Sequence, residues 1–264
     1  MVPVARRSPS RGAHRPYFAA PLPRVLAHRG LALEAPENTL LAFVAAIGIG
    51  VTHIETDVHA SSDGVAVISH DPELDRVAAM PGRVDALPVA RLREIDLGHD
   101  QTFCTLAEAL DAFPETRFNI DIKSADAVAP TVAAILDQKA VDRVLVTSFS
   151  ESRRRAAVRQ LPGVATSASS SMFARALVAG KLRSAPLLKR ILHGVDAVQV
   201  PEQYSGVQIV TERMIRLLHS AKVEVHVWTV NDAPAMHRLL DLGVDGIVTD
   251  RADIALGVLT TRAQ

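Results

Sequence analysis

The strongest constraint on how this chain can fold is its rhythm: short apolar runs alternate with longer amphipathic stretches throughout the body. A strand buried on both faces is a brief apolar run, and its crossover helix shows one apolar stripe, so this alternation reads as βα units around a parallel sheet. Eight runs fit the strand pattern, at residues 25–28, 53–58, 117–122, 144–147, 164–166, 197–200, 224–228 and 246–248. Helical periodicity falls at 39–47, 106–112, 127–139, 151–160, 172–178, 211–220 and 233–242, with a last turn after Ala252. Asn231 stands where the N-cap of the helix at 233–242 belongs, and Gly243 where its closing glycine belongs. Eight strands interleaved with helices in 264 residues, 48% of them hydrophobic, predict an α/β fold, a TIM (β/α)8 barrel spanning 25–258. No break in composition invites division into two domains.

Two segments depart from the rhythm. Residues 1–24 combine five arginines with Pro, Ser and Gly and hold no acid, which predicts a disordered basic leader without the apolar centre of a secretory signal. Residues 61–101 contain a turn at Ser62-Asp63-Gly64, a short apolar strand from Val65, and then a run rich in Pro, Gly and Arg. An insertion of that length after the second strand is expected to cover the barrel mouth. Formal net charge is zero, so beyond the leader the body has five more acids than bases. That acidic body, with few aromatic residues on which bases could stack, argues against nucleic acid as a partner. No stretch approaches the roughly 20 apolar residues of a membrane span, so no stable membrane insertion is expected. The single cysteine, Cys104, permits no internal disulfide and is read as a packing residue of a cytoplasmic protein. The oligomeric state stays open.

Chemistry concentrates in the first half. Glu55 and Asp57 lie two apart on an apolar strand, so alternation sets both on one face. Two adjacent like charges need neutralising, by a cation or by arginines in a buried ion network. No Lys or Arg lies between Arg29 and Arg76, which favours the cation. The run Asn119-Ile120-Asp121-Ile122-Lys123 repeats the pattern, and Asn119, Asp121 and Lys123 point into the barrel if Ile120 and Ile122 pack outward. Carboxylate oxygens are hard donors, so the expected cofactor is one divalent cation, Mg²⁺ or Ca²⁺, on Glu55, Asp57 and Asp121. His28 ends the first strand and His70 ends the short strand of the insertion, two imidazoles flanking the acids and able to move protons near neutral pH. Arg29 can grip a phosphate, and Gly30 lets the backbone pass close to a ligand. Trp228, near the end of the seventh strand, is a candidate wall for the substrate. His53 is read as a core or supporting residue, the remaining histidines as rim, and Arg153, Arg154 and Arg155 as a solvated helix face.

Together, His28-Arg29-Gly30, Glu37-Asn38-Thr39, Glu55-Thr56-Asp57, Asp63-Gly64, His70-Asp71, Asn119-Ile120-Asp121-Ile122-Lys123 and Val227-Trp228-Thr229-Val230-Asn231 resemble the glycerophosphodiester phosphodiesterase family, in order and over about residues 25–255. The run Gly243-Val244-Asp245-Gly246-Ile247-Val248-Thr249-Asp250 resembles that family's last strand. The resemblance implies a TIM barrel with a segment inserted after the second strand. It also implies one divalent ion on Glu55, Asp57 and Asp121, His28 and His70 as the acid/base pair, and Arg29 and Lys123 as phosphate contacts. The third ligand of the family is often Glu, so Asp121 shortens that arm by a methylene. The implied reaction is metal-dependent hydrolysis of a small-molecule glycerophosphodiester to glycerol 3-phosphate and an alcohol, with water or the substrate's own hydroxyl attacking. Two alternatives accompany it. A lysophospholipase D-like activity needs an apolar mouth, whereas the Arg- and Pro-rich insertion favours a water-soluble head group. A non-catalytic phospholigand-binding barrel has no use for two proton carriers.

Overall fold

The computed structural model describes residues 12 and 15–263. Its strands are β1 (Arg24–His28), β2 (His53–Ala60), β3 (Ala66–Ile68), β4 (Arg117–Ile122), β5 (Val144–Thr147), β6 (Ala165–Thr166), β7 (Ala197–Pro201), β8 (Gln203–Tyr204), β9 (Val207–Gln208), β10 (Glu224–Trp228) and β11 (Gly246–Thr249). Its α-helices are α1 (Leu40–Gly48), α2 (Asp75–Ala78), α3 (Val89–Leu92), α4 (Leu106–Ala112), α5 (Val128–Asp137), α6 (Glu151–Val158), α7 (Ser170–Lys181), α8 (Ala185–Ile191), α9 (Glu212–Ser220), α10 (Ala233–Leu242) and α11 (Ala252–Ala263). Eight strands pair in parallel in the order β6, β5, β4, β2, β1, β11, β10, β7. The bridge between Ser167 and Ala197 joins the two ends of that order, with Ala168 N–H donating to Ala197 C=O at 2.9 Å. The result is a closed TIM barrel.

Alternation along the strands explains both layers. Val25 and Ala27, Ile54 and Val58, Phe118, Ile120 and Ile122 point outward into the continuous apolar core that the helices share. Their neighbours point inward, and many of these are polar: Arg24 and His28, His53, Glu55 and Asp57, Asn119 and Asp121, Glu224 and His226. Ile120 and Ile122 do pack outward, and Asn119, Asp121 and Lys123 line one cavity. At the N-terminal end of the barrel, Arg24 donates to both carboxylate oxygens of Glu224 at 3.1 and 3.0 Å, and His226 Nε2 bonds the same group at 3.1 Å. His226 is therefore a core residue and not the rim histidine expected.

The basic leader is corrected in part. Residues 1–11, 13 and 14 lie outside the described residues, but Pro16–Phe18 form a 3-10 turn with Tyr17 and Phe18 buried. They pack on Leu145, Ala165 and Ala197 and so cap the barrel interior from below. The average composition of the segment hides these two aromatics. Arg154 is a second correction: it is buried, donating to Glu151 at 2.9 and 2.8 Å and to Thr166 at 3.3 Å. The N-cap of α10 is Asp232, whose side chain accepts from Ala235 N–H, and Asn231 is drawn elsewhere. Gly243 closes that helix in the left-handed region as expected.

Between β2 and α4 the chain doubles back. β3 runs antiparallel to the end of β2, pairing Val58 with Ile68 and Ala60 with Ala66, so the chain returns toward the C-terminal end of the barrel. Ser69 N–H donates to Asp57 C=O at 3.0 Å, which sets His70 beside the strand that carries the acids. The remainder builds its own small core from Val67, Leu74, Val84, Leu92 and Phe103. α8 and the β8–β9 hairpin were not legible as elements in the sequence.

Candidate active site

The register of the barrel assembles the site. His28 pairs with Glu55 across β1 and β2, and Glu55 with Asn119 and Asp57 with Asp121 across β2 and β4. Side chains at the ends of three neighbouring strands thereby meet at the C-terminal mouth, where TIM barrels place their chemistry. His28, Arg29, Glu55, Asp57, His70, Asn119, Asp121 and Lys123 line a cavity of about 540 Å³. The residues expected as acid/base pair, ion ligands and substrate contacts all line it, Trp228 included, whereas Gly30, expected beside a ligand, does not.

The entry loop after β1 holds tightly wound backbone. Arg29, Gly30 and Asn38 all have positive φ, +57°, +86° and +58°. At Gly30 a Cβ would come within 2.7 Å of the Ala42 carbonyl carbon, so only glycine lets the loop pass so close to α1. Thr39 caps α1 by accepting from Ala42 N–H at 3.3 Å. Asn38 turns inward, donating to Asp57 at 3.2 Å and accepting from Thr56 at 2.8 Å. Arg29 donates to Glu37 at 2.9 Å and lies 3.2 Å from Asp57. Arg76 of α2 donates to Glu37 at 2.7 Å and also bonds Asp71, so the insertion braces the loop.

Each histidine is held through Nδ1. His28 Nδ1 is 2.6 Å from Asp250 and its Nε2 is 3.9 Å from Glu55, while His70 Nδ1 is 2.7 Å from Asp71. Burial alone would lower the pKa of His28, but the hydrogen bond to Asp250 and the charge of Glu55 outweigh it and raise it. Nε2 is left as the nitrogen that each ring has for a substrate.

The acids divide into two conditions. Asp57 is clasped by cations: Lys123 Nζ lies 2.8 Å from Asp57 and 2.7 Å from Asp121. These charges hold Asp57 below its usual range although burial works against them. Part of the ion-network alternative is thus present, supplied from β4 and the β1 loop and not by a neighbour in sequence. Glu55 has no such partner, and burial with the adjacent Asp57 raises its pKa to about 8. Burial also raises Asp121. Glu55 Oε2, Asn119 Oδ1 and Asp121 Oδ1 are buried with no hydrogen-bond partner among the described residues. Orphaned buried oxygens are costly, and three hard ones facing one cavity suit a divalent cation. Among the described residues no three His, Cys, Asp or Glu side chains are arranged as a ready-made ion site, and Lys123 provides the counter-charge between Asp57 and Asp121.

The other wall of the cavity is apolar, formed by Phe149, Phe173, Leu177, Tyr204, Ile209 and Trp228. The sequence reading supplied only Trp228 of these. Asp250 was quoted there only as the last letter of a motif, although that residue directly follows a barrel strand. Glu37 and Asn38 were quoted only as motif letters and Asn231 was read as a helix cap, and here each contacts a site residue.

Residues 28–254 match the model of the glycerophosphoryl diester phosphodiesterase family. A Mycobacterium tuberculosis protein named probable glycerophosphodiester phosphodiesterase 2 is 44% identical over 241 residues, covering 90% of this chain and 91% of that one. A phosphodiesterase of Oleispira antarctica, solved with the product sn-glycerol-3-phosphate, has the same fold at 24% identity, TM-score 0.76, covering 90% of this chain and 97% of that one. A glycerophosphodiester phosphodiesterase from Agrobacterium tumefaciens matches at TM-score 0.73 and 23% identity, over 90% of this chain and 99% of that one. The chain belongs to the glycerophosphoryl diester phosphodiesterase family.

Proposed function

We propose that this chain hydrolyses glycerophosphodiesters to glycerol 3-phosphate and an alcohol. The observation that carries the reading is the pair of histidines in one cavity, each anchored through Nδ1 by a carboxylate, beside Arg29, Lys123 and three buried acids. Arg29 and Lys123 bind the phosphoryl group and stabilise the charge that grows on it. His70 accepts the proton of the attacking hydroxyl. His28, whose raised pKa favours the protonated ring, gives a proton to the leaving alkoxide. Asp250 and Asp71 hold the two rings in orientation while the charges change.

Glu55, Asp57 and Asp121 are the proposed ligands of a hard divalent ion, Mg²⁺ or Ca²⁺: Glu55 and Asp121 each bring a buried oxygen without a partner among the described residues, and Asp57 would exchange its contacts with Lys123 and Arg29 for the ion. When bound there, such an ion would draw charge from the phosphoryl oxygen and ease deprotonation of the attacking hydroxyl. Cys104 is buried with its thiol pushed up to about 12, which suits an unreactive thiol in a reducing cytoplasm.

The apolar wall favours a second substrate within the same reaction, a lysophospholipid whose chain lies along Phe173 and Leu177. Release of glycerol 3-phosphate from glycerophosphocholine tests the main reading. His28→Ala and His70→Ala are each expected to lower kcat by about 10² or more, and turnover indifferent to both substitutions would end it. Lysophosphatidylcholine run in parallel, with lysophosphatidic acid measured, decides whether a glycerol that carries an acyl chain is also accepted.

A further inference from the structure

Between Glu151 and Asp196 the chain holds nine basic residues and no acid, although Lys+Arg and Asp+Glu balance at 29 each over the whole sequence. This stretch includes α7, which buries Met172, Ala176 and Ala179 and turns Arg175, Val178 and Lys181 to solvent, as the chain does Leu182 just after it. Val178 and Leu182 are 56% and 67% exposed. On the same helix Phe173, Ala174 and Leu177 line the cavity, so the exposed stripe borders the mouth. Phe149, after β5, and Tyr204, in the β8–β9 hairpin, also line it and both are mostly exposed, and Val207 in the same hairpin is about half exposed.

Large apolar side chains exposed around one opening, interleaved with basic residues, form the pattern of an interfacial surface. The apolar groups enter the acyl boundary and the cations meet anionic head groups. No helix among the described residues is long and apolar enough to cross a membrane. A second copy on this face would set the basic stretch of one protomer near that of its partner, which like-charge repulsion opposes.

We propose that the rim formed by α7, the β8–β9 hairpin and Phe149 docks on an anionic lipid bilayer, opening the cavity toward the membrane surface. Docking stands on the surface alone; only the further step, that amphiphilic substrate enters from the bilayer, rests on the phosphodiesterase reading.

The test is sedimentation of the full chain with vesicles of phosphatidylcholine, with and without phosphatidylglycerol. Binding is expected on the anionic vesicles and to fall by about tenfold or more in V178E/L182E and separately in R175E/K181E. Both double variants are expected to keep wild-type hydrolysis of glycerophosphocholine in solution, which shows that they fold. His28→Ala is expected to bind vesicles like wild type, so loss of the reaction and loss of docking are read separately. A wild type that stays in the supernatant with every vesicle overturns the proposal, as does binding that survives both double variants. Wild-type dimers that V178E/L182E splits would assign the face to a second copy and overturn it too.

Discussion

Asp250 Oδ1 lies 2.6 Å from His28 Nδ1, and Asn231 Nδ2 donates to the other oxygen of the same carboxylate at 2.7 Å. His28 ends the first strand of the barrel and Asp250 follows the last, so closure between β1 and β11 is what brings them together. The carboxylate fixes the ring tautomer and raises the pKa of His28. Asp250→Asn removes the charge and keeps the shape. Its kcat is expected to fall by about 10² with little change in KM. Because the raised pKa is lost, the alkaline limb of the rate profile moves to lower pH. A variant that loses activity without moving that limb would show Asp250 to be structural only.

Glu55, held at about pKa 8 by burial and Asp57, is largely protonated at neutral pH in the absence of a cation. Binding of Mg²⁺ or Ca²⁺ at pH 7 is therefore expected to release close to one proton, and at pH 9 almost none. Calorimetry in buffers of different ionisation enthalpy reads this without reference to turnover. Glu55→Gln should abolish the release, and EDTA should stop catalysis. Asp121→Glu lengthens the third arm and is expected to alter the preference between the two ions. Full activity in EDTA would remove the ion from the site.

The barrel was legible because each strand is buried and each crossover helix is amphipathic, so β2 and β4 announced themselves with their acids in period two. What escaped was set by contacts far apart in sequence. The bond from His28 to Asp250 spans 222 residues, and no local pattern marks it. Lys123 was read as a phosphate contact alone. Only the pairing of Asp57 with Asp121 across β2 and β4 shows that one ammonium meets both acids. Tyr17 and Phe18 were lost in a polar leader because burial is decided by the open end of the barrel they fill. Residues 203–208 were too short for any period to appear, and they carry part of the apolar mouth.

The N-terminal end of the barrel should govern acid stability. His53 is fully buried and held near pKa 3, chiefly by burial. The folded state cannot take up the proton that the unfolded chain binds below about pH 6.5, so stability is full above that pH and declines as pH falls toward 3. Glu224, lowered to about 2 by His226 and Arg24 against the effect of burial, adds a loss of the same sign below about pH 4.5. His53→Gln is expected to flatten the slope between about pH 6.5 and 4.5 and to leave below that only the loss from the carboxylates such as Glu224. Arg24→Met takes the guanidinium from the buried Glu224 carboxylate and leaves it only neighbours such as His226, which is expected to cost about 3–5 kcal/mol at neutral pH. Denaturant melts across pH check both, and a His53→Gln slope equal to wild type would refute the assignment.

The apolar wall should separate substrates by whether their glycerol carries an acyl chain. Trp228 packs edge-on against Phe149 with ring centroids 6.0 Å apart, and Lys123 Nζ lies 5.7 Å from the Phe149 ring. This pair therefore sits beside the Lys123 ammonium, whereas Phe173 and Leu177 on α7 form another part of the cavity wall. Truncating an aromatic wall removes roughly 1.5–3 kcal/mol of apolar contact, about 10- to 100-fold in affinity. Phe173→Ala is expected to raise KM for lysophosphatidylcholine by about tenfold and to leave glycerophosphocholine nearly unchanged. Trp228→Ala, nearer the reacting group, is expected to weaken both. Equal losses on the two substrates in Phe173→Ala would show that this wall supports the fold and does not read the acyl chain.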